Sequence, residues 1–133
     1  MSGGLESEGT KIGLVVLAAL SIAILSVAQE VPTVIADVPF SFMAAGKTLP
    51  AGQYEFSDGD LANAVLIRGT KADAEALVIT RLAQRPDNQA DVIFDKVDNN
   101  YYLSELYVPG VDGYLFQGAS GKHTHVHVKA RKK

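Results

Sequence analysis

The three histidines of this chain stand at His123, His125 and His127, close to its C-terminal end. Alternate residues of a β-strand project to the same face. The spacing therefore predicts three imidazoles in one row, with Thr124, Val126 and Val128 on the opposite face. Imidazole nitrogens bind Zn²⁺, Cu²⁺ and Ni²⁺. Neighbours in such a row have Cα atoms about 7 Å apart, which is wide for three ligands on one ion. The pattern points to the middle histidine and one neighbour sharing a metal, Zn or Cu, with a carboxylate from elsewhere completing the set. Two other readings fit the same row: a charged solvent-facing edge that blocks strand pairing, and a surface that responds to pH near neutrality.

The remaining residues narrow the chemistry. The absence of cysteine excludes thiol catalysis, Cys-ligated zinc and cysteine redox chemistry. Asp58-Gly59-Asp60 and Asp98-Asn99-Asn100 lack the spacing of a calcium loop with a terminal Glu and read as turns. No G-x-S-x-G, H-E-x-x-H or G-x-x-x-x-G-K-[ST] pattern occurs, and no pair of carboxylates stands out as a glycosidase couple. A noncatalytic protein without a cofactor is the reading that follows. A second candidate surface is aromatic: Tyr101, Tyr107 and Tyr114 lie close in sequence. Strict alternation puts Tyr101 and Tyr107 on one strand face and Tyr102 on the other, a pattern open to a binding face or to ordinary core-edge packing.

The elements that must position these residues are strands. After position 30 the chain alternates with period two and carries turn residues every 8–12 positions, the signature of a β-sandwich or barrel. Val34, Ala36, Val38, Phe40 and Phe42 share one face of the first strand, and Pro39 predicts that this strand is an edge or is bulged. Lys47 to Gly52 reads as a turn, Gln53–Phe56 and Ala64–Arg68 as strands, and Ala74–Ala83 as one long central strand, apolar on both faces. Val92–Lys96 and Tyr101–Val108 read as a hairpin, and Tyr114–Gln117 and His123–Val128 as the last strands. The expectation is an all-β domain over 29–128, a small antiparallel sandwich or barrel of about eight strands, followed by a solvated basic tail over 129–133.

The first 28 residues differ in kind. Ile12 to Ala28 is an uncharged apolar run of 17 residues, and Ser26 and Ala28 occupy the −3 and −1 positions of a cleavage site before Gln29. This predicts an apolar N-terminal helix acting as a signal peptide. Acidic Glu6 and Glu8 outnumber Lys11, and the run is long for a signal, so a retained membrane anchor is the alternative. Either way the domain is expected outside the cytoplasm, in the periplasm or at the cell surface, with membrane contact only through this segment. Beyond it the chain carries 11 basic and 13 acidic groups, which excludes a general nucleic-acid binder.

The ordering is similar to a known pattern. Val34, Ala36, Asp37, Val38, Pro39, Phe40 and Phe42, then Gly46, Lys47, Leu49, Pro50, Ala51, Gly52 and Tyr54, then Leu66, Ile67 and Arg68, and finally Leu103, Ser104, Glu105 and Gly110 carry it. They resemble a family of small exported all-β proteins common in soil bacteria such as Acidobacteria. The resemblance implies a signal peptide followed by a compact antiparallel β domain and brings no activity, substrate or catalytic residue. Relatives end in a charged Ser/Arg/Glu-rich segment, where this chain has its histidine strand. The function expected is binding or assembly at the cell surface. Its versions are self-association through the N-terminal edge strand, an unknown protein or surface partner, a subunit of an extracellular filament, and metal binding through the histidine strand.

Overall fold

A computed structural model of the chain describes residues 32–59 and 61–133. The signal or anchor segment and the Ala28–Gln29 bond lie outside the described residues. Within them the protein is all-β. Its strands are β1 (Thr33–Val38), β2 (Phe42–Ala44), β3 (Lys47–Leu49), β4 (Gly52–Asp58), β5 (Ala64–Gly69), β6 (Asp73–Leu77), β7 (Thr80–Leu82), β8 (Asp91–Val97), β9 (Asn100–Tyr107), β10 (Gly113–Leu115) and β11 (Thr124–Lys132).

The strands form one sheet in the order β3-β2-β9-β8-β11-β1-β4-β5-β6, with β10 joining β9 to β7. Neighbours are antiparallel, apart from a single parallel pairing of Met43 with Tyr102. The sheet curls into a nearly closed barrel. Its two ends meet at a seam, where Lys47 Nζ of β3 donates to the Asp73 carbonyl of β6 at 2.8 Å. Alternation fills the interior. Val34, Ala36 and Val38 of β1 join Tyr54 and Phe56 of β4, Val65 and Ile67 of β5, and Val92 and Phe94 of β8 in one buried cluster. Phe42 meets both Tyr54 and Phe94 edge-on with ring centroids 5.1 Å apart. Each fully buried large side chain contributes about 1.5–3 kcal/mol, which lets this core stand without disulfides.

Several expectations are corrected. There are eleven strands among the described residues, because two predicted strands are each broken in two and one more forms inside a predicted turn. The first breaks at Pro39: lacking an N–H, it ends β1, and the chain resumes as β2 with different partners. The edge prediction for this segment also fails. β1 lies between β11 and β4 with both sides paired, which leaves no free edge there for a second chain. The second break splits Ala74–Ala83 into β6 and β7. β6 is an outer strand of the order, and Leu77 and Ile79 are exposed. The Lys47–Gly52 turn is in part a strand: the bend falls at Ala45-Gly46, both with positive φ, so that Lys47–Leu49 pairs back on Phe42–Ala44. Lys129, Arg131 and Lys132 are exposed, as a solvated tail would be, but they belong to a strand. They extend β11, where Ala130, Arg131 and Lys132 pair with β1.

The β8–β9 hairpin appears as predicted, turning at Asp98 with φ 53°. It contains one irregularity. Ile93 pairs with Glu105 and Phe94 with Leu103, so Ser104 is an extra residue in β9. Such a bulge reverses the alternation beyond it. Leu103 before it and Leu106 after it both face the core.

Candidate metal centre

The histidine segment runs along β8. His125 stands directly opposite Asp95, His127 opposite Ile93, and Lys129 opposite Asp91. Val92 and Phe94 turn inward, so Asp91, Ile93 and Asp95 lie on the outer face of the barrel. All three are nevertheless buried. The connection between β10 and β11 folds over Asp95, and the connection between β7 and β8 folds over Asp91.

Asp95 is the floor of the candidate site. Its Oδ2 accepts the Ala119 amide at 3.1 Å. This close backbone approach depends on Gly118, which has φ +61° and lies against the same oxygen, where a Cβ would collide. The other oxygen, Oδ1, is buried and accepts no hydrogen bond. Two imidazole nitrogens face it, His123 Nε2 and His125 Nδ1, each at 3.4 Å. The three donor atoms lie within 4.8 Å of one another.

The tautomer of His123 follows from its second nitrogen. Nδ1 lies 2.8 Å from the Gly121 carbonyl, which only accepts, so Nδ1 carries the proton. In the neutral ring, Nε2 then presents a lone pair to Asp95. Histidines that bind metals are commonly oriented in this way, by donating the remote N–H to a carbonyl. A tetrahedral zinc site with bonds of about 2.0–2.2 Å has ligand–ligand edges of roughly 3.3–3.6 Å. The two observed nitrogen–oxygen separations match such edges. The Asp95 side chain is 5% exposed, while His123 is 27% and His125 53% exposed. The set is thus closed on the protein side and open to solvent on the other.

The three histidines do not act as one row. His123 precedes β11, and the left-handed Gly121 helps turn the chain there, with φ +84°. Its ring meets that of His125 edge-on, with centroids 5.1 Å apart. His127 goes elsewhere: its Nδ1 lies 2.7 Å from Asp91 Oδ2. Arg85 Nη1 donates to that same oxygen at 2.7 Å, and its guanidinium lies 4.9 Å from the Tyr107 ring centroid. The Arg85 pKa is raised, first by its hydrogen bond to Asp91. Asp91 is thereby engaged by a guanidinium and an imidazole, whereas Asp95 Oδ1 has no hydrogen bond.

Sequence reasoning named all three histidines, paired the middle one with an unspecified neighbour, and left the carboxylate unnamed; the geometry groups His123 and His125 with Asp95 and leaves His127 out. The usable signal was the position of Asp95 in the predicted hairpin strand, but the pairing of β8 with β11 was needed to select it. The tyrosines form no common face. Tyr101 stacks on Phe40 at 3.7 Å between ring centroids. Tyr107, turned outward beyond the bulge, donates its hydroxyl to Glu105 at 3.0 Å. Tyr114 is buried, with its hydroxyl 3.4 Å from Asp58 and Arg81 over its ring. Near the seam lies a groove of about 620 Å³, walled by Met43, Leu77, Ile79, Tyr102 and Gln117 among others.

No protein-family model, curated protein or solved structure matches this chain.

Proposed function

We propose that this protein is an exported β-barrel domain that binds a divalent transition-metal ion, Zn²⁺ or Cu²⁺, through Asp95, His123 and His125. The observation that carries this reading is the buried Asp95 Oδ1, which has no hydrogen bond and faces two imidazole nitrogens at 3.4 Å. A buried polar atom without a partner costs about 1–3 kcal/mol. The His123 Nε2 lone pair and the His125 Nδ1 converge on an anionic oxygen, a set that calls for a positive species between them. A proton can serve one of the pairs; a metal ion serves all three donors together. Mixed nitrogen and oxygen donors suit Zn²⁺ and, by the general affinity order, Cu²⁺ more strongly.

Export is the second part of the proposal and rests on the Ile12–Ala28 run and the Ser26/Ala28 pattern. The basic and acidic groups of the domain are nearly balanced, which favours a site defined by local ligands over one defined by long-range charge.

Calorimetric titration of the protein, purified without an affinity tag, tests the metal site. One Zn²⁺ or Cu²⁺ is expected to bind per chain. His125→Ala and Asp95→Ala are expected to abolish binding, and His127→Ala to leave it intact. Absence of heat in the parent protein, or equal heat after His125→Ala, removes the proposal.

A further inference from the structure

We infer that the metal held by Asp95, His123 and His125 keeps a coordination position open to solvent and takes a small oxyanion there, in place of bound water. This inference rests on the metal reading above and names what that site binds.

Three features point to it. The first is ligand count. Among the described residues, no fourth His, Asp or Glu joins the three donors. Metal sites with three protein ligands characteristically fill the fourth position with water or an exogenous ligand, whereas structural zinc sites close with four. The second is direction. Asp95 lies beneath the β10–β11 connection with its side chain 5% exposed, and the two imidazoles stand on the outer side, 27% and 53% exposed. The uncommitted position therefore faces outward.

The third is charge. A divalent ion paired with one carboxylate and two neutral imidazoles leaves a net charge of about +1 on the centre. The next carboxylate along β8, Asp91, does not offset it. Its Oδ2 is already shared by Arg85 and His127, at 2.7 Å each. An unscreened cation opening to water selects an anionic oxygen donor, a carboxylate or a phosphate, over a neutral one. Binding is a simple exchange: the metal–water bond breaks, the metal–oxyanion bond forms, and no electron is transferred.

Cobalt(II) reports on this directly, because its visible absorption bands respond to a change of ligand. The intact protein is loaded with one Co²⁺. Acetate and inorganic phosphate are then titrated separately, with perchlorate holding the ionic strength constant. The expected result is a band shift that saturates at one anion per metal for at least one of the two, and that persists in His127→Ala. If Co²⁺ binds stoichiometrically but neither anion moves the bands, the open position is refuted while the metal site stands. If the shift vanishes in His127→Ala although Co²⁺ stays bound, the anion sits on that neighbouring imidazole and direct coordination is refuted. If none of Co²⁺, Zn²⁺ and Cu²⁺ binds, the underlying metal reading fails, and this inference with it.

Discussion

Asp95 and His125 face each other across paired strands, with carboxylate Oδ1 3.4 Å from imidazole Nδ1 and no hydrogen bond between them. This relationship makes Asp95 a source of instability in the metal-free protein and, on the metal reading, of affinity in the loaded one. An asparagine in place of Asp95 keeps the acceptor for Ala119 and offers an amide donor to the His123 Nε2 lone pair. Asp95→Asn is therefore expected to melt at or above the parent's temperature in chelator. With Zn²⁺ at a hundredfold excess over Kd, the parent gains about 2.7 kcal/mol, and the variant loses most of that gain. Thermal melts with and without metal check both halves. A variant less stable in chelator that keeps the full metal shift would contradict the account.

Gly118 and Gly121 separate backbone strain from contact. Both have positive φ, +61° and +84°, but only Gly118 lies against Asp95, and nothing lies within 4 Å of a Cβ placed at Gly121. Gly121→Ala is expected to cost about 1 kcal/mol from the left-handed backbone alone. Gly118→Ala adds a collision with the carboxylate and is expected to cost about 2–3 kcal/mol. It should also weaken metal binding by displacing Asp95. Urea unfolding and metal titration of the pair test this. Equal effects on both measurements would show that the carboxylate is not held by this loop.

Stability is expected to fall at alkaline pH. Burial raises the pKa of Tyr54 and of Tyr114 above the ordinary value of 10.0, and for Tyr114 the Asp58 carboxylate adds to the effect. Above pH 10 the unfolded chain releases phenolic protons that the folded chain retains. The unfolded state then binds fewer protons, so stability declines as pH rises. The contribution is complete below pH 10 and is lost as pH climbs from there through the raised folded values. Denaturant midpoints measured from pH 8 to 12 should show this fall, and Tyr114→Phe should lessen it. A flat profile would refute the burial argument.

Arg85 is expected to matter more than an exposed cation. It ties the β7–β8 connection to buried Asp91 and covers the Tyr107 ring. Arg85→Ala leaves Asp91 with His127 alone and should cost about 1–3 kcal/mol by the penalty for an under-satisfied buried polar group. Adding Asp91→Asn should recover part of the loss. Denaturant unfolding of the single and double variants measures the coupling, and strictly additive losses would show that the two do not act as a pair.

Leu77 and Ile79 are exposed on and beside outer strand β6. An outer strand with apolar surface invites pairing between chains. Leu77→Lys is expected to change stability by less than about 0.5 kcal/mol and to lower concentration-dependent association in sedimentation. Unchanged association would exclude this face as its origin.

Period-two alternation made the strands of this protein legible because burial follows side-chain parity within one strand. Val34, Ala36 and Val38, which alternation puts on one strand face, all lie in the core for that reason. Alternation failed where a local feature changed the parity or ended the strand. Ser104 inserts one residue in β9 and turns Tyr107 away from the face of Tyr101, and Pro39 ends β1. The β1 edge prediction failed for a different reason: pairing to β11 joins residues almost a hundred positions apart, and no local pattern records it.

The candidate site divides in the same way. Residue type and spacing alone determined that neighbouring histidines supply the nitrogen half of the candidate set, since imidazole chemistry and nearness along the chain are local properties. Only the tertiary structure decided which carboxylate joins them and which histidine is left out. Asp95 lies opposite His125 because of the β8–β11 register, and His127 turns to Asp91, diagonal to it on the same strand pair. Register is set by the burial of many side chains across the whole barrel, so it belongs to the fold and not to any one segment of the chain.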